Sequence, residues 1–492
     1  MKKKLSYIIL VFLVLLSFLP NGKAALAAKP DRSAPTSPTN LHTTSITETS
    51  VSLAWNSSTD NVGVTGYDIY QNNRLIGNVS STQYVANNLT PNTSYSFYIK
   101  ARDARGNVSA ASSTVTAITL TQTNPVQSNF KRVGYFAGWA TYSNYQVSDI
   151  DASKLTHLNY AFANINADGK IEVGDPFADI EQTFPGDTAD QPYKGNFYQL
   201  TKLKQQYPQL KTLISVGGWS WSERFSDVAL TDQSRTIFAD SCLQFILKYG
   251  FDGIDLDWEY PVAGGEAGNI HRPEDKQNFT LLVKKIRETL DAQSAIDGKK
   301  YLLTIAGGAN KGYVANTELS LLQQYLDYIQ LMTYDFHGSW DTLTGMNSPL
   351  YRDPESKFAE FSVQDAVQTY INSGVPATKL VMGIPFYGRV YNQVNNVNNG
   401  LYQSFSGGGS ALSYGQLEAS YLNKNGFIRY WESDSKVPWL FNGSQFISYD
   451  DPESIGYKTS FIKSMGLGGA MMWELSQDPN KVLISKIYDD LR

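Results

Sequence analysis

Between residues 131 and 492, eight short runs rich in β-branched and aromatic residues alternate with longer stretches of helical period. The runs are RVGYFAGW (132–139), HLNYAFA (157–163), TLISVGGW (212–219), GIDLDWE (253–259), YLLTIAGG (301–308), YIQLMTYD (328–335), LVMGIPFYG (380–388) and GGAMMWE (468–474). Among the stretches between them are NFYQLTKLKQQY, RTIFADSCLQFILKYG and EDKQNFTLLVKKIRETLDAQ. A chain that repeats strand and helix eight times over this length is expected to close into a (β/α)8 TIM barrel. Residues 391–450, rich in Asn, Gly, Ser and Tyr, separate runs seven and eight by more than one helix needs. They are predicted to form a small α+β insertion on the barrel rim.

The fourth run contains the strongest chemical signal. In FDGIDLDWEYP, residues 251–261, Asp255, Asp257 and Glu259 alternate with Ile254, Leu256 and Trp258. Side chains on a strand alternate between faces, so the three acids share one face and the apolar residues the other. In a barrel the acids face inward and Glu259 sits at the mouth, where such folds carry their sites. Clustered, buried carboxylates repel one another and their pKa values rise. That arrangement suits solvation, metal binding or the holding of a proton. Asp252, one residue before the run, is expected to support the strand's entry.

The remaining sequence narrows these choices. The 492 residues exceed one ordinary domain. A net charge of −5 gives no basic footprint for nucleic acid. Aromatics reach 13%, which is enough to fill a core and still supply flat platforms for a ligand such as carbohydrate. One cysteine, Cys242, excludes an intrachain disulfide and a Cys-rich metal site. Four histidines without a close pair argue against a transition metal, and EF-hand spacing is absent. No metal or other cofactor is therefore expected at the acids.

The N-terminal residues 1–28 read as a cleaved signal peptide. Lys2–Lys4 are followed by an apolar run and by Ala25-Leu26-Ala27, which fits a cleavage site. Secretion to the extracellular space, with no membrane association after cleavage, is the expectation. Residues 38–119 show short alternating runs divided by turn residues, as in an all-β sandwich. Trp55 is a candidate core ring, and Tyr95 occupies the place of a tyrosine corner. This stretch resembles a fibronectin type III domain. A polar linker, 120–130, then leads into the barrel.

The pattern Asp252-x-x-Asp255-x-Asp257-x-Glu259 is similar to the signature of family 18 glycoside hydrolases, the chitinases. SVGG (215–218), MTYDFHG (332–338), PFYGR (385–389) and MMWE (471–474) resemble that family's motifs on strands three, six, seven and eight. Five ordered motifs over 131–492 are far more specific than any one of them. The resemblance implies a secreted bacterial chitinase that cleaves β-1,4 bonds between N-acetylglucosamine units within chitin, as a monomer. Its expected partners are chitin and chito-oligosaccharides.

The resemblance also implies roles. Glu259 is the general acid and base. Asp257 orients the substrate's acetamide, and Asp255 shares a proton with Asp257. Tyr334 hydrogen-bonds the acetamide oxygen, and Asp335 holds the distorted sugar. Trp473 forms the floor of the pocket, with Met332, Tyr387 and Arg389 lining it. Trp139, Trp219 and Trp340 match positions that stack on neighbouring sugars. For Trp139, Tyr387 and Arg389 a purely structural role is equally compatible with the sequence. A lectin on the same barrel would lack the acid at position 259, which this chain has. An endoglycosidase acting on N-glycan cores would share it, but the rim insertion and Trp340 suit long chitin better.

Overall fold

A computed structural model describes residues 31–120 and 130–492, apart from Glu48, Asn88, Lys357, Ala359 and Glu360. The expected signal peptide and nearly all of the expected linker lie outside the described residues. The chain divides between Val126 and Gln127 into two compact units.

In the N-terminal unit, alternating residues build two antiparallel sheets. One contains Thr39–Ile46, Val51–Asn56 and Gln83–Ala86; the other contains Arg74–Val79, Val64–Gln71, Ser94–Asp103 and Val115–Ile118. Every second residue from Tyr95 to Asp103 is buried, as a strand with one face on a core requires. Trp55 packs edge-on against Tyr67 at 5.4 Å within that core. The Tyr95 hydroxyl accepts a hydrogen bond from the Thr90 N–H at 2.9 Å, which ties the strand's entry to the preceding turn as a tyrosine corner does.

In the second unit, all eight runs become strands of one closed parallel sheet. They are Lys131–Ala137, His157–Ile165, Lys211–Gly217, Gly253–Asp257, Leu302–Gly308, Tyr328–Met332, Leu380–Pro385 and Gly469–Trp473, numbered strands one to eight in that order. Strand one closes the barrel by pairing with strand eight (Gly469↔Lys131) and with strand two (Val133↔His157). Helices cover the crossovers, among them Gly195–Gln206, Asp232–Tyr249, Asp275–Asp297 and Pro452–Met465. The crossover from strand one to strand two contains only short 3-10 turns. Helix boundaries follow local chemistry. Thr231 caps the helix Asp232–Tyr249 through the Ser234 N–H, and Gly250, in the left-handed conformation, ends it.

Strand parity sorts the barrel into two cores. Ile214, Ile254, Leu256, Trp258, Leu303 and Ile329 pack outward against the helices. Val133, Tyr135, Ala161, Tyr328, Val381 and Met471 fill the inside. A polar layer of Asn159, Ser215, Asp255, Thr304 and Gln330 is also inside, and all five are fully buried.

The rim insertion is an antiparallel sheet built on Tyr387–Asn392, Ile428–Glu432, Val437–Phe441 and Phe446–Ser448, with one short helix, Tyr414–Ser420. Its first strand begins at Tyr387, directly beyond strand seven, rather than at 391. Tyr391, Trp439, Phe441 and Phe446 give it a small core of its own.

Because each unit has a separate core, residues 131–492 expressed alone are expected to unfold in one cooperative transition. Circular dichroism on heating is the check. An insoluble or non-cooperative product would show that the barrel depends on the sandwich.

Candidate active site

The three acids of strand four receive very different surroundings. Asp255 lies deepest and accepts four hydrogen bonds. Tyr135 and Ser215 donate to Oδ2, each at 2.7 Å; Thr304 and Gln330 donate to Oδ1 at 2.6 and 2.8 Å. Asn159 in turn donates to the Gln330 side-chain oxygen at 3.1 Å. Burial pushes the Asp255 pKa up, and these four donors oppose the rise. The four donors to Asp255 stand on strands one, three, five and six.

Asp257 is buried at the strand's last position, and its Oδ1 accepts no hydrogen bond among the described residues. Burial, then the charge of Glu259, then that of Asp255, push its pKa well above the usual carboxylate range. Glu259 lies two residues beyond, off the strand. Burial raises its pKa to about 7, with help from Asp335 and against a hydrogen bond from Tyr260. Its backbone is held on both sides. The Glu259 N–H donates to Ser222 Oγ at 2.9 Å, and its carbonyl accepts from Asn269 Nδ2 at 2.9 Å. Gly265 has a φ of +78°, and a Cβ there would lie 1.9 Å from that carbonyl oxygen, so only glycine allows the loop to close behind Glu259. At the strand's foot, Asp252 takes the Thr212 N–H at 2.8 Å and pairs with Lys204 at 2.7 Å. This is the supporting place expected of it.

The tips of strands six, seven and eight complete the pocket. Tyr334 packs edge-on against Tyr387 at 6.3 Å, and its hydroxyl lies 4.0 Å from Met471 Sδ. Asp335 Oδ1 accepts from the Tyr387 hydroxyl at 2.6 Å and from Arg389 Nε at 2.8 Å; the Arg389 guanidinium also reaches Oδ2 at 2.5 Å. Arg389 thus joins strand six to the insertion, and its guanidinium covers the Trp340 ring at 5.0 Å. Met332, half-buried, packs beside Tyr334 and Trp473 against the inner core. Trp473 is half-buried and gathers Tyr135 at 5.3 Å, Phe162 at 5.8 Å and Trp139 at 6.4 Å.

Exposure separates platform rings from core rings. Trp139, Trp219 and Trp340 are 52%, 52% and 58% exposed, whereas Trp258 is 1% exposed and stacks on Phe225. Outward parity already assigned Trp258 to the core.

Several residues of this site were not singled out in the sequence. Tyr135, Thr304 and Gln330 carried a usable signal, because each stands at an inward position of its strand. Phe162 stands on strand two, where the register skips it between Ala161 and Ala163 and so breaks the parity; Tyr260, Ser222 and Asn269 carried no signal, since loop geometry brings them in. Among the described residues, three peptide bonds without proline are cis: Ala161–Phe162, Glu259–Tyr260 and Trp473–Glu474. Two acid groups among the described residues bring ligand oxygens within 4.8 Å of one another: Asp31 with Asp60 and Asp103, and Asp353 with Glu432 and Asp434. Neither includes an acid of strand four.

This geometry has close counterparts among known proteins. Residues 131–478 match the glycosyl hydrolases family 18 model, and residues 36–118 match that of the fibronectin type III domain. The chain is 51% identical over 409 residues to Chitinase A1 of Niallia circulans, covering 74% of this chain and 58% of that protein. Among solved structures, chitinase ChiA74 from Bacillus thuringiensis superposes with a TM-score of 0.71 at 44% identity, covering 74% of this chain and 69% of that one. A family 18 N-acetylglucosaminidase from Paenibacillus barengoltzii does so with a TM-score of 0.66 at 40% identity, covering 74% and 100%. On the strength of the barrel, its acidic fourth strand and these matches, the chain belongs to the glycosyl hydrolases of family 18, with a fibronectin type III domain as its N-terminal unit.

Proposed function

We propose that the chain is a secreted chitinase that hydrolyses β-1,4 bonds between N-acetylglucosamine units within chitin, with retention and with the substrate supplying the nucleophile. The observation that carries this reading is the unequal pair Asp257 and Glu259. A glycosidase with two working carboxylates needs one ionised nucleophile or base facing the sugar. Here both members of the pair are buried and both pKa values are raised. With its pKa raised to about 7 and its place at the barrel mouth, Glu259 is the member suited to hold a proton and deliver it.

The steps follow from these positions. Glu259 donates its proton to the glycosidic oxygen as the bond to the anomeric carbon breaks, and the leaving sugar departs with that proton. The acetamide oxygen of the same substrate attacks the anomeric carbon and closes an oxazolinium ring. Asp257 accepts a hydrogen bond from the acetamide N–H and stabilises its growing positive charge; an Oδ1 without a protein donor suits this role. The Tyr334 hydroxyl donates to the acetamide oxygen. The ionised Glu259 then takes a proton from water, which opens the ring. Such stabilisation acts mainly in the transition state, so it raises turnover more than affinity.

Chitin is favoured because Trp473 gives the reacting sugar an apolar floor and Trp139, Trp219 and Trp340 expose rings along the same rim. Sugars stack on such rings. The leader sequence supports secretion, and no helix among the described residues is long and apolar enough to cross a membrane. The likeness to an N-acetylglucosaminidase favours a second reading, action on chain ends or short oligomers. Product lengths from chitin hexamer separate the two, and chitosan hexamer should stay uncut, because it lacks the acetamide nucleophile.

Glu259→Gln removes the transferable proton and keeps the shape. It is expected to lower kcat about 10²- to 10⁴-fold while oligosaccharide binding persists. In the unaltered chain the acid form is lost as pH rises through about 7, so kcat/KM should fall on that alkaline limb. A pH-rate profile flat to pH ~9, or near-normal turnover in the variant, would contradict the assignment. Trp219→Ala and Trp340→Ala should each reduce kcat/KM on chitin hexamer by about 2- to 10-fold, the range of one ring contact. Dimer-length substrates should be affected less. Equal losses on both would return these rings to structural duty.

A further inference from the structure

Tyr334 and Asp335 lie against the reacting acetamide in the proposed mechanism, and a further role for their neighbours rests on that mechanism. Both residues stand on a turn beyond strand six, which ends at Met332. Asp335 has a φ of +58°. A non-glycine residue keeps that conformation only where its surroundings hold it. The holding group is the buried dipeptide Asn347-Ser348, further along the chain.

Asn347 Oδ1 accepts the Asp335 N–H at 2.9 Å, and the Asn347 carbonyl accepts the Phe336 N–H at 3.1 Å. Asn347 Nδ2 donates to the carbonyl of Tyr387 at 3.3 Å, so one side chain sets Asp335 against its own hydrogen-bond partner. Ser348 acts on the other flank of Tyr334. Its hydroxyl donates to the Thr333 carbonyl at 2.6 Å, while the Thr333 hydroxyl donates to the Gly383 carbonyl at 2.7 Å. The dipeptide is itself anchored. Lys458, fully buried on the helix before strand eight, donates to Ser348 Oγ and to Asp450 Oδ2, both at 2.7 Å. The Asn347 N–H donates to Ser448 Oγ at 2.7 Å. A buried ion pair contributes little net stability after desolvation, and its best-supported use is to fix one arrangement.

We propose that Asn347 and Ser348 are positioning residues for the reaction, a two-residue clip that seats Tyr334 and Asp335 at the reacting sugar, with the buried Lys458–Asp450 pair as its anchor. All four are buried, so they act through Tyr334 and Asp335. The clip joins the strand-six tip to the insertion's last strand and to the final crossover helix, so the acetamide site and the rim move as one body.

The test uses full-length Asn347→Ala and Ser348→Ala, with kcat, KM and the pH profile of kcat/KM measured on soluble chitin tetramer, and melting temperature measured in parallel. Displacement of the Tyr334–Asp335 turn should lower kcat by up to about 100-fold, with KM changed far less. The pH profile gives a second readout. Glu259 is faced by Asp257 at the end of strand four, Tyr260 beside it, Tyr313 after strand five, and Tyr334 and Asp335 after strand six; Tyr387 and Arg389 face Asp335 in turn. If the Asp335 charge retreats in Asn347→Ala, the alkaline limb moves to lower pH. A merely structural role would lower the melting temperature and leave kcat and the limb in place, and that result overturns the clip. If Asn347→Ala fails to fold, kcat of Ser348→Ala decides. An inert wild-type chain would sink the reading of function and the clip with it, whereas an active wild type with two unchanged variants sinks the clip alone.

Discussion

Three carboxylates on one strand face must coexist inside a barrel, and the rest of the site is arranged around that repulsion. The barrel gives each acid a different environment. Asp255 is surrounded by hydrogen-bond donors from four other strands, which oppose the rise that burial forces on its pKa. Asp257 receives no donor at one oxygen among the described residues and sits between two other acids. Glu259 leaves the strand and reaches the mouth, where its pKa is about 7. Similar groups thus acquire distinct tasks through position alone.

That arrangement constrains residues far from the chemistry. The polar layer around Asp255 draws on four strands: the parallel register sets Ser215 and Thr304 level with Asp255, and Tyr135 and Gln330 reach it from inward positions two residues out of that register. Close backbone approach also matters. Gly217 and Gly218 turn the chain beside Asp257, and a Cβ on Gly217 would come within 2.5 Å of the Asp257 carbonyl. On the opposite wall, Arg389 ties Asp335 to the insertion, which couples the rim to the catalytic pocket.

Much of this was legible in the sequence because strand parity is a strong rule. The alternation in GIDLDWE placed Asp255 and Asp257 inward and Trp258 outward, and the structure agrees. The eight runs gave the barrel strands to within a few residues. The insertion's start was placed at 391 because its first strand, Tyr387–Asn392, continues the apolar character of strand seven without a visible break. The donors that occupy Asp255 could not be read from spacing, since they come from strands separated by 40 to 120 residues. Phe162 enters at a break in the register of strand two, and Tyr260 and the Asn347-Ser348 pair enter through loops, where no periodicity points to a contact.

The central claim is that the substrate's own acetamide, and no second carboxylate, attacks the anomeric carbon. Two successive displacements at one carbon retain its configuration. Proton NMR of the first products released from chitin tetramer, recorded before mutarotation, tests this most directly. The account predicts a predominance of the β-anomer. A predominantly α first product would mean inversion by water in a single step, and the roles assigned to Asp257 and Glu259 would be wrong.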